Sequence, residues 1–312
     1  MKYIVTGGAG FIGSHIVEEL AQKRHDVVIL DNLFSGKSEN IAPFLEGEHV
    51  TFVKGSITDL PLLNRTFSGA DGIFHQAAIA SVPRSIENPV ATNEANITGT
   101  LNVLLAARDC GVRKVVFASS SSVYGDTPTL PKREDMAPNP LSPYAVSKLA
   151  GEHYMRVFFE VYGISTLSLR YFNVFGPRQD PDSQYAAVIP KFITSTLSHR
   201  SPTIFGDGEQ TRDFTYVKDV VQANIRAMES DAQGVFNVAY CRRISVKDLA
   251  AMIMEITGIS VPLSFEPQQP GDIRDSCADI HRAVDAFGYS PRYTVRSGLE
   301  ETVRWYQQQP LQ

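Results

Sequence analysis

The sequence contains few cysteines and little excess charge. Its 312 residues include three cysteines and carry a formal net charge of −5. Cys110, Cys241 and Cys277 are odd in number and lack the CxxC spacing of a zinc site, so we expect reduced thiols and a cytoplasmic location. The acidic balance provides no positive field for a polyanion, and we expect no nucleic acid partner.

Long hydrophobic segments and internal repeats are also absent from the sequence. No run approaches the ~18 apolar residues that span a bilayer, and the N-terminal segment reaches Gly7 before a signal-peptide core is complete. We therefore expect a protein that neither enters a membrane nor is exported. With 43% hydrophobic residues, the chain can bury a substantial core.

Short apolar runs alternate with helix-length segments through the first half of the chain. The runs rich in β-branched and aromatic residues are Tyr3–Val5, Val27–Leu30, Val50–Val53, Gly72–Phe74, Val115–Phe117 and Thr166–Leu169. This alternation predicts an α/β fold with a doubly wound parallel sheet over residues 1–170. Beyond residue 170, proline and glycine interrupt shorter segments, which predicts a smaller α/β domain, mainly residues 171–312. Residues 213–239 read as strand, helix and strand, so we expect them to rejoin the first domain.

A glycine-rich string follows the first predicted strand. Gly7 permits a tight turn, Gly10 lets the backbone approach a pyrophosphate, and Gly13 lets the following helix pack closely against the strand. Asp31 ends the second predicted strand about 20 residues further on, where a carboxylate accepts hydrogen bonds from ribose and repels a 2′-phosphate. The pattern therefore predicts a Rossmann-type domain that binds NAD rather than NADP. The alternative is that this carboxylate only caps its own turn.

A tyrosine and a lysine four residues apart open a long predicted helix at Pro143. Tyr144 and Lys148 share one helix face, so we expect the ammonium to lower the pKa of the phenol from ~10 toward neutrality. Tyr144 is then a candidate general base for a hydroxyl group. The serines at 119–122 follow a predicted parallel strand at its carboxyl end, where such sheets bind ligands. The alternatives are an exposed tyrosine beside a solvated lysine, and serines that bond loop amides.

Four motifs together resemble the extended short-chain dehydrogenase/reductases, specifically the nucleotide-sugar 4-epimerases. They are TGGAGFIG at residues 6–13, SSSSVYG at 119–125, PYAVSK at 143–148 and RYFNVFGP at 170–177. The resemblance extends over nearly the whole chain and implies catalytic roles for Ser120, Tyr144 and Lys148. It also implies that bound NAD supports C4 epimerisation of a UDP-hexose through a 4-keto sugar. A homodimer formed by about Val90–Asp109 and Pro143–Val161 is implied in the same way.

The resemblance further implies two sets of binding residues. Those for the cofactor are Gly7, Gly10, Phe11, Ile12, Gly13, Asp31, Asn32, Ser35, Gly36, Ser56, Ile57, Ala77, Ala78, Ala80, Tyr144, Lys148 and Phe172. Those for the substrate are Ser81, Ser120, Ser121, Ser122, Tyr144, Asn173, Gln179, Val188, Thr203, Phe205, Arg212, Asp272 and Ser276. Two positions depart from the family pattern, since Ser56 replaces the usual aspartate and Gln269 replaces the usual arginine. We expect a weaker or rearranged adenine contact at Ser56.

The choice of sugar also follows from the resemblance. The segments Ser81–Ser85 and Gly176–Pro181 resemble the subgroup acting on UDP-N-acetylhexosamines, and Ser276 stands where a tyrosine would close the space for an N-acetyl group. We therefore expect UDP-GlcNAc and UDP-GalNAc as substrates, with UDP-Glc and UDP-Gal also accepted. The alternatives are a UDP-glucuronate 4-epimerase, against which Asn173 argues mildly, and an NAD(H)-binding sensor without turnover. Ser121 and Ser122 argue against a 4,6-dehydratase, which needs an added acid and base.

Three side chains have competing interpretations. Arg212 matches a phosphate-binding arginine, and its alternative is an ion pair with Asp207 or Asp213. Ser276 has the alternative of capping a turn. His75 follows an apolar strand, and we expect it at the edge of the core rather than in the site.

Overall fold

The computed structural model describes residues 1–181, 188–267 and 274–309. Two positions discussed above, Gln269 and the predicted substrate residue Asp272, lie outside these ranges. Within these ranges, every helix is too short or too polar to cross a lipid bilayer.

The elements of the described ranges begin as a regular alternation of strands and helices. The strands are β1 (Lys2–Thr6), β2 (Asp26–Asp31), β3 (Val50–Lys54), β4 (Gly72–His75), β5 (Lys114–Ser120), β6 (Ser165–Tyr171), β7 (Val174–Phe175), β8 (Thr203–Phe205), β9 (Thr211–Asp213), β10 (Thr215–Tyr216), β11 (Gly234–Val238), β12 (Arg243–Ser245) and β13 (Ser264–Glu266). The helices are α1 (Phe11–Gln22), α2 (Leu60–Phe67), α3 (Val82–Glu87), α4 (Pro89–Asn93), α5 (Gly99–Asp109), α6 (Pro143–Tyr162), α7 (Val188–Leu197), α8 (Val217–Glu229), α9 (Val246–Thr257), α10 (His281–Phe287) and α11 (Val295–Gln307).

A parallel sheet in the order β11-β6-β5-β4-β1-β2-β3 forms the centre of the molecule. All its strands are parallel, and the order in which the chain adds strands reverses between β1 and β4. The crevice at such a reversal binds ligands outside the carboxyl ends of the strands. The predicted doubly wound, Rossmann-type α/β fold is confirmed. The predicted strand after residue 234 also returns to this sheet, where β11 pairs with β6.

Two hydrophobic layers cover the faces of the sheet. One contains α1 and α8, and the other contains α2, α5 and α6. Because both faces are buried, the strands are nearly continuous apolar runs, as is typical of parallel sheets. This explains why the sequence pattern located them.

Glycines allow the first strand to turn directly into α1. Gly7 has φ +68°, and a Cβ atom there would lie 2.7 Å from the backbone of Ala77. A Cβ atom at Gly13 would lie 2.1 Å from the carbonyl oxygen of Gly7. A side chain at Gly13 would therefore separate α1 from the end of β1, and one at Gly7 would collide with the segment after β4.

A third hydrophobic cluster lies beyond the sheet and is built by α7, α9 and α11. The short pairs β8–β13 and β9–β12 flank it. The segment from β10 through α8 packs toward the sheet, and α8 contacts α1. The domain boundaries at about 170 and at 213–239 stay a prediction.

The helix expected over Val90–Asp109 is not regular. α4 and α5 are separated by a π-helical turn at Glu94–Thr98. Within this wider turn, Asn96 accepts a hydrogen bond from the Ile79 amide at 2.8 Å and donates to Ser147 Oγ at 3.0 Å. The turn thus ties the loop after β4 to α6, the helix that contains Tyr144 and Lys148.

Candidate active site

Capping residues define the start of α6, which packs against β5. Ser142 caps the helix by accepting a hydrogen bond from the Ala145 amide at 3.1 Å, and Pro143 occupies the first turn. Further along, a Cβ atom at Gly151 would lie 2.5 Å from the ring of Phe117. The helix therefore lies close against β5.

The structure brings the three predicted catalytic residues together. Lys148 is buried and its Nζ donates to the carbonyl oxygen of Ala118 at 2.8 Å. The same nitrogen lies 5.8 Å from the centre of the Tyr144 ring. Ser120, which ends β5, lies near enough to the Tyr144 phenol to lower its pKa. Their catalytic roles stay predictions, but the arrangement suits proton transfer at one substrate oxygen.

Burial controls the pKa values of this group. Removal from water raises the pKa of Tyr144, and the hydrogen bond from Ser120 opposes that effect. Burial also lowers the pKa of Lys148 to about 7. The prediction that Lys148 brings the phenol pKa toward neutrality is therefore wrong for this structure, because desolvation of the phenol is the dominant effect.

The serines at the end of β5 differ in their hydrogen bonding. Ser119 Oγ donates to Glu152 Oε1 at 2.5 Å, whereas Ser120 Oγ accepts from the Ser122 amide at 3.2 Å. The hydroxyl of Ser122 is buried without a hydrogen-bond partner among the described residues. The interpretation that serines here bond loop amides therefore applies to Ser120, in addition to its contact with Tyr144.

A cavity of about 480 Å³ runs along the carboxyl ends of the strands, within the usual range for ligand sites. The predicted cofactor residues that line it are Gly7, Gly10, Phe11, Ile12, Gly13, Asp31, Asn32, Ser35, Ser56, Ile57, Ala77, Ala78, Ala80, Tyr144 and Lys148. Two other predicted residues are outside this lining. Gly36 packs against the backbone of Ala9, and the Phe172 side chain is buried behind the site in a cluster with Tyr124.

The first turn of α1 fits a pyrophosphate. Gly10 precedes the helix without a side-chain cap, and no acidic residue lies in the first turn. A Cβ atom at Gly10 would meet only the carbonyl oxygen of Gly7, at 3.1 Å, so the space in front of the helix stays open. Free amides at a helix N-terminus attract an anion.

Asp31 both caps its own turn and faces the cavity. Its Oδ1 accepts from the Leu33 amide at 2.8 Å, and its Oδ2 accepts from the Ala9 amide at 3.0 Å. The carboxylate thus caps its own turn and also lines the cavity beside the glycine turn. Burial raises its pKa. The residues present fit NAD, because α1 would face the pyrophosphate and Asp31 would lie beside the adenosine ribose; the two assignments stay predictions.

The far end of the cavity is formed by the loop after β3. Ser56 Oγ lies 2.8 Å from Thr58 Oγ1 and accepts from the Thr58 amide at 3.2 Å. The serine that replaces the family's aspartate thus organises its own turn. Ser56 and Ile57 both line the cavity.

Several lining residues were missed by sequence reasoning. Lys37 Nζ lies 3.1 Å from Asp180, and Arg178 Nη2 lies 2.6 Å from Glu18 on α1. Tyr171 also lines the cavity, where its phenol accepts from Asn224. Lys37 and Arg178 reach the cavity from loops, which have no periodicity. Arg178 does fall in the Gly176–Pro181 segment, which resembles the N-acetylhexosamine subgroup.

A second cavity of about 260 Å³ lies beside the third hydrophobic cluster, which α7, α9 and α11 build. Predicted substrate residues that line it are Asn173, Val188, Thr203, Phe205 and Arg212. The Arg212 Nη1 donates to the carbonyl oxygens of Thr211 and Arg274, each at 3.0 Å. These two hydrogen bonds hold the Arg212 guanidinium beside the cavity.

The two carboxylates considered as partners of Arg212 have other contacts. Asp213 is buried and accepts from the amides of Tyr240, Cys241 and Ala278. Burial raises its pKa to about 6. Asp207 lies 3.7 Å from Arg274.

The remaining predicted substrate residues are more dispersed. Gln179 lines the larger cavity. Ser81 caps α3 by accepting from the Arg84 amide, and the Ser276 amide donates to the Thr211 carbonyl. Ser81, Ser120, Ser121, Ser122 and Ser276 are absent from the linings of both cavities. Their assignment to the substrate stays a prediction.

His75 is a structural residue, as expected. It is buried between Thr6 and Thr100, with its ring nitrogens 2.7 and 2.9 Å from their hydroxyl oxygens. Burial lowers its pKa to about 3, so the ring is neutral at physiological pH.

Fold and site together define an NAD-binding Rossmann protein with a tyrosine–lysine pair. The model of the NAD dependent epimerase/dehydratase family matches residues 3–239. The chain belongs to this family, and its cofactor is NAD.

Similar proteins cover nearly the full length of the chain. A putative UDP-glucose 4-epimerase of Methanocaldococcus jannaschii is 41% identical, with 97% of each chain covered. A UDP-glucose 4-epimerase of Mycolicibacterium smegmatis is 40% identical, with 98% of each covered. Among solved structures, the UDP-N-acetylglucosamine 4-epimerase from Methanobrevibacter ruminantium M1, in complex with UDP-N-acetylmuramic acid, superposes with a TM-score of 0.95 at 43% identity, covering 98% of both chains. The Thermotoga maritima UDP-glucose 4-epimerase with UDP-glucose has a TM-score of 0.94 at 38% identity, covering 98% of this chain and 99% of the other.

Proposed function

We propose that the protein interconverts C4 epimers of UDP-hexoses and accepts both N-acetylated and plain sugars. The main support is that Tyr144 and Lys148 together line the NAD cavity, with Lys148 Nζ 5.8 Å from the centre of the Tyr144 ring. The second cavity, with Arg212 in its lining, suits a diphosphate. The similarity to enzymes named as UDP-sugar 4-epimerases supports the same reaction.

In this reaction Tyr144 removes the proton of the C4 hydroxyl, and Ser120 donates a hydrogen bond to the C4 oxygen. Bound NAD supplies the acceptor, and later the donor, of the C4 hydride. The sugar then presents its other face, and Tyr144 returns the proton to the C4 oxygen. Lys148 orients the cofactor ribose. Oxidation and reduction cancel, so no second substrate is consumed.

The proposal also states that the sugar pocket accepts an N-acetyl group. Ser276 is small, and its segment is held to β9 through the Thr211 carbonyl. Gln179 donates through Nε2 to the Val174 carbonyl, and its Oε1 is buried without a hydrogen-bond partner among the described residues. An acetamide N–H would provide the missing donor after a small side-chain adjustment.

Side-by-side assays of UDP-Glc, UDP-Gal, UDP-GlcNAc, UDP-GalNAc and UDP-glucuronate test this function. We expect turnover of the first four. Ser276→Tyr should lower turnover of the acetylated pair by roughly 100-fold while leaving the plain pair within a few-fold, because a packed pocket excludes by size. Ser276→Ala, which stays small, is the matched control and should keep the acetylated pair.

Other outcomes change the assignment in defined ways. Wild-type protein that ignores acetylated sugars would indicate a plain UDP-glucose 4-epimerase. Equal loss of both pairs in Ser276→Tyr would contradict the pocket assignment, and turnover of UDP-glucuronate alone would indicate a UDP-glucuronate 4-epimerase.

We also propose that the chain forms a homodimer through α6 and the α4–α5 segment. Exposed apolar side chains on these helices support this face: Val90, Val146, Val157 and Val161. Val161→Asp should yield a monomer by light scattering, because Val161 is 64% exposed and would be covered by the partner. Val284→Asp on α10, where valine is 40% exposed, is the control and should remain dimeric. Identical masses for both variants would refute this face.

A further inference from the structure

A buried ion pair lies directly behind the candidate catalytic group. Arg170 on β6 and Glu152 on α6 have side chains that are 4% and 3% exposed. Arg170 donates from Nε to Glu152 Oε1 at 2.8 Å and from Nη2 to Oε2 at 2.7 Å. Ser119 donates to Oε1 as well, at 2.5 Å. Both oxygens of the carboxylate therefore have donors.

Arg170 is fixed from its other side by an aromatic ring. Its Cζ lies 4.6 Å from the centre of the Tyr124 ring, and the Tyr124 phenol donates to Asn237 Oδ1 at 2.7 Å. A guanidinium stacked on a ring and paired bidentately has one orientation. The Arg170 guanidinium is therefore held in one position against the Glu152 carboxylate.

Glu152 follows Lys148 by one turn of α6. Residues four apart share a helix face, and a buried lysine and glutamate at this spacing attract each other. Lys148 instead donates to the carbonyl oxygen of Ala118, on the side of the cofactor cavity. The ammonium and the carboxylate thus have separate partners.

The charged and titratable groups around Lys148 come from several elements. α6 contributes Tyr144 and Glu152, β4 contributes His75, and β6 contributes Arg170 and Tyr171. His75 is neutral at physiological pH, and burial raises the pKa of both tyrosines. On the neighbouring helical segments, the acidic residues Glu87 and Glu94 are exposed. Of these groups, Glu152 is the buried anion.

We propose that Arg170 and Ser119 are positioning residues that hold Glu152 away from Lys148, so that the ammonium faces the cofactor and the Tyr144 phenol. Without Arg170, the carboxylate would be left with an uncompensated negative charge one helical turn from Lys148. The lysine would then turn toward it and keep its proton to a higher pH. This inference rests on the proposed role of Lys148 toward NAD.

Two variants test this proposal, and each removes one charge of the Arg170–Glu152 ion pair. Arg170→Gln leaves the negative charge, and Glu152→Gln leaves the positive charge. NAD affinity of the cofactor-free full chain, and kcat and KM of the holoenzyme, are measured between about pH 6 and pH 10. NAD affinity should fall as Lys148 loses its proton. The pH at the midpoint of that fall reports the pKa of Lys148.

The two variants should move this midpoint in opposite directions. Arg170→Gln should raise it by about one pH unit and lower kcat roughly tenfold, with the KM for UDP-sugar nearly unchanged. Glu152→Gln should lower the midpoint. The double variant, which removes both charges, should restore the wild-type midpoint and most of kcat. Equal shifts in both single variants, or no shift, would overturn the proposal and indicate a purely structural ion pair.

A milder variant keeps the test valid if Arg170→Gln does not fold. Ser119→Ala removes one hydrogen bond to Glu152 and should move the midpoint upward by a smaller amount, and an unmoved midpoint would count against the proposal. If wild-type protein epimerises no UDP-sugar but the NAD-binding midpoints still move oppositely, the proposed function fails and this inference stands.

Discussion

Replacement of Asp31 by alanine tests both functions of one carboxylate. The side chain is 8% exposed and accepts from the amides of Ala9 and Leu33. An unsatisfied buried donor costs about 1–3 kcal/mol, and Leu33 is only partly buried, so the free energy of unfolding should fall by about 2–4 kcal/mol. At roughly 2 °C per kcal/mol for a chain of this size, the Tm should fall by about 4–8 °C.

The same substitution should change the choice of cofactor. Two unit charges about 4 Å apart near a protein surface interact by about 4 kcal/mol, and solvent in the open cavity reduces this to about 1–3 kcal/mol. Removal of the carboxylate should therefore raise the NADP to NAD affinity ratio roughly 10- to 100-fold. Titration of the cofactor-free chain with both dinucleotides measures this ratio.

Asp31→Asn is the matched control for these two effects. Asparagine removes the charge but keeps one oxygen for an amide, so it should change the cofactor ratio like alanine and lower the Tm less. An unchanged ratio in both variants would refute the assignment of Asp31 to the adenosine ribose. An unchanged Tm in Asp31→Ala would refute the hydrogen-bond argument.

Two further predictions concern the catalytic group. Tyr144→Phe should fold and retain NAD but lose roughly 100-fold or more in turnover, because only the proton acceptor is removed; near-normal epimerisation would show that Tyr144 is not the base. Burial lowers the pKa of Lys148 from 10.5 to about 7, so between these values the unfolded chain binds more protons and wild-type stability rises with pH. In the cofactor-free protein, Lys148→Met should therefore be more stable than wild type by a few kcal/mol at pH 7, with the difference shrinking toward pH 10.5. Parallel Tm curves for the two proteins across this range would contradict the lowered pKa.

The parts of the fold that depend on local chemistry were predicted well. The apolar strands were recognised because a parallel sheet is buried on both faces and uses almost only hydrophobic side chains. Gly7 and Gly13 marked the turn into α1 because any side chain there would meet backbone. Ser142 and Pro143 marked the start of α6 through ordinary capping chemistry.

Other features of the site depend on residues far apart in the chain. The prediction of a lowered phenol pKa was wrong because it considered only the neighbouring lysine, whereas burial among several elements dominates at Tyr144. The π-helical turn that places Asn96 between the loop after β4 and α6 has no sequence pattern of its own. Lys37 and Arg178 reach the cavity from loops, whose course follows from packing rather than periodicity.

The sequence by itself determined the order of strands and helices, the glycine turn at the cofactor cavity and the pairing of Tyr144 with Lys148, because each depends on residues within a few turns of one another. Only the tertiary structure decided which charges meet. Arg170 and Glu152 are 18 residues apart and lie on a strand and a helix, and they pair because α6 packs on the sheet. Burial, which sets the pKa values of Tyr144 and Lys148, exists only after those elements assemble.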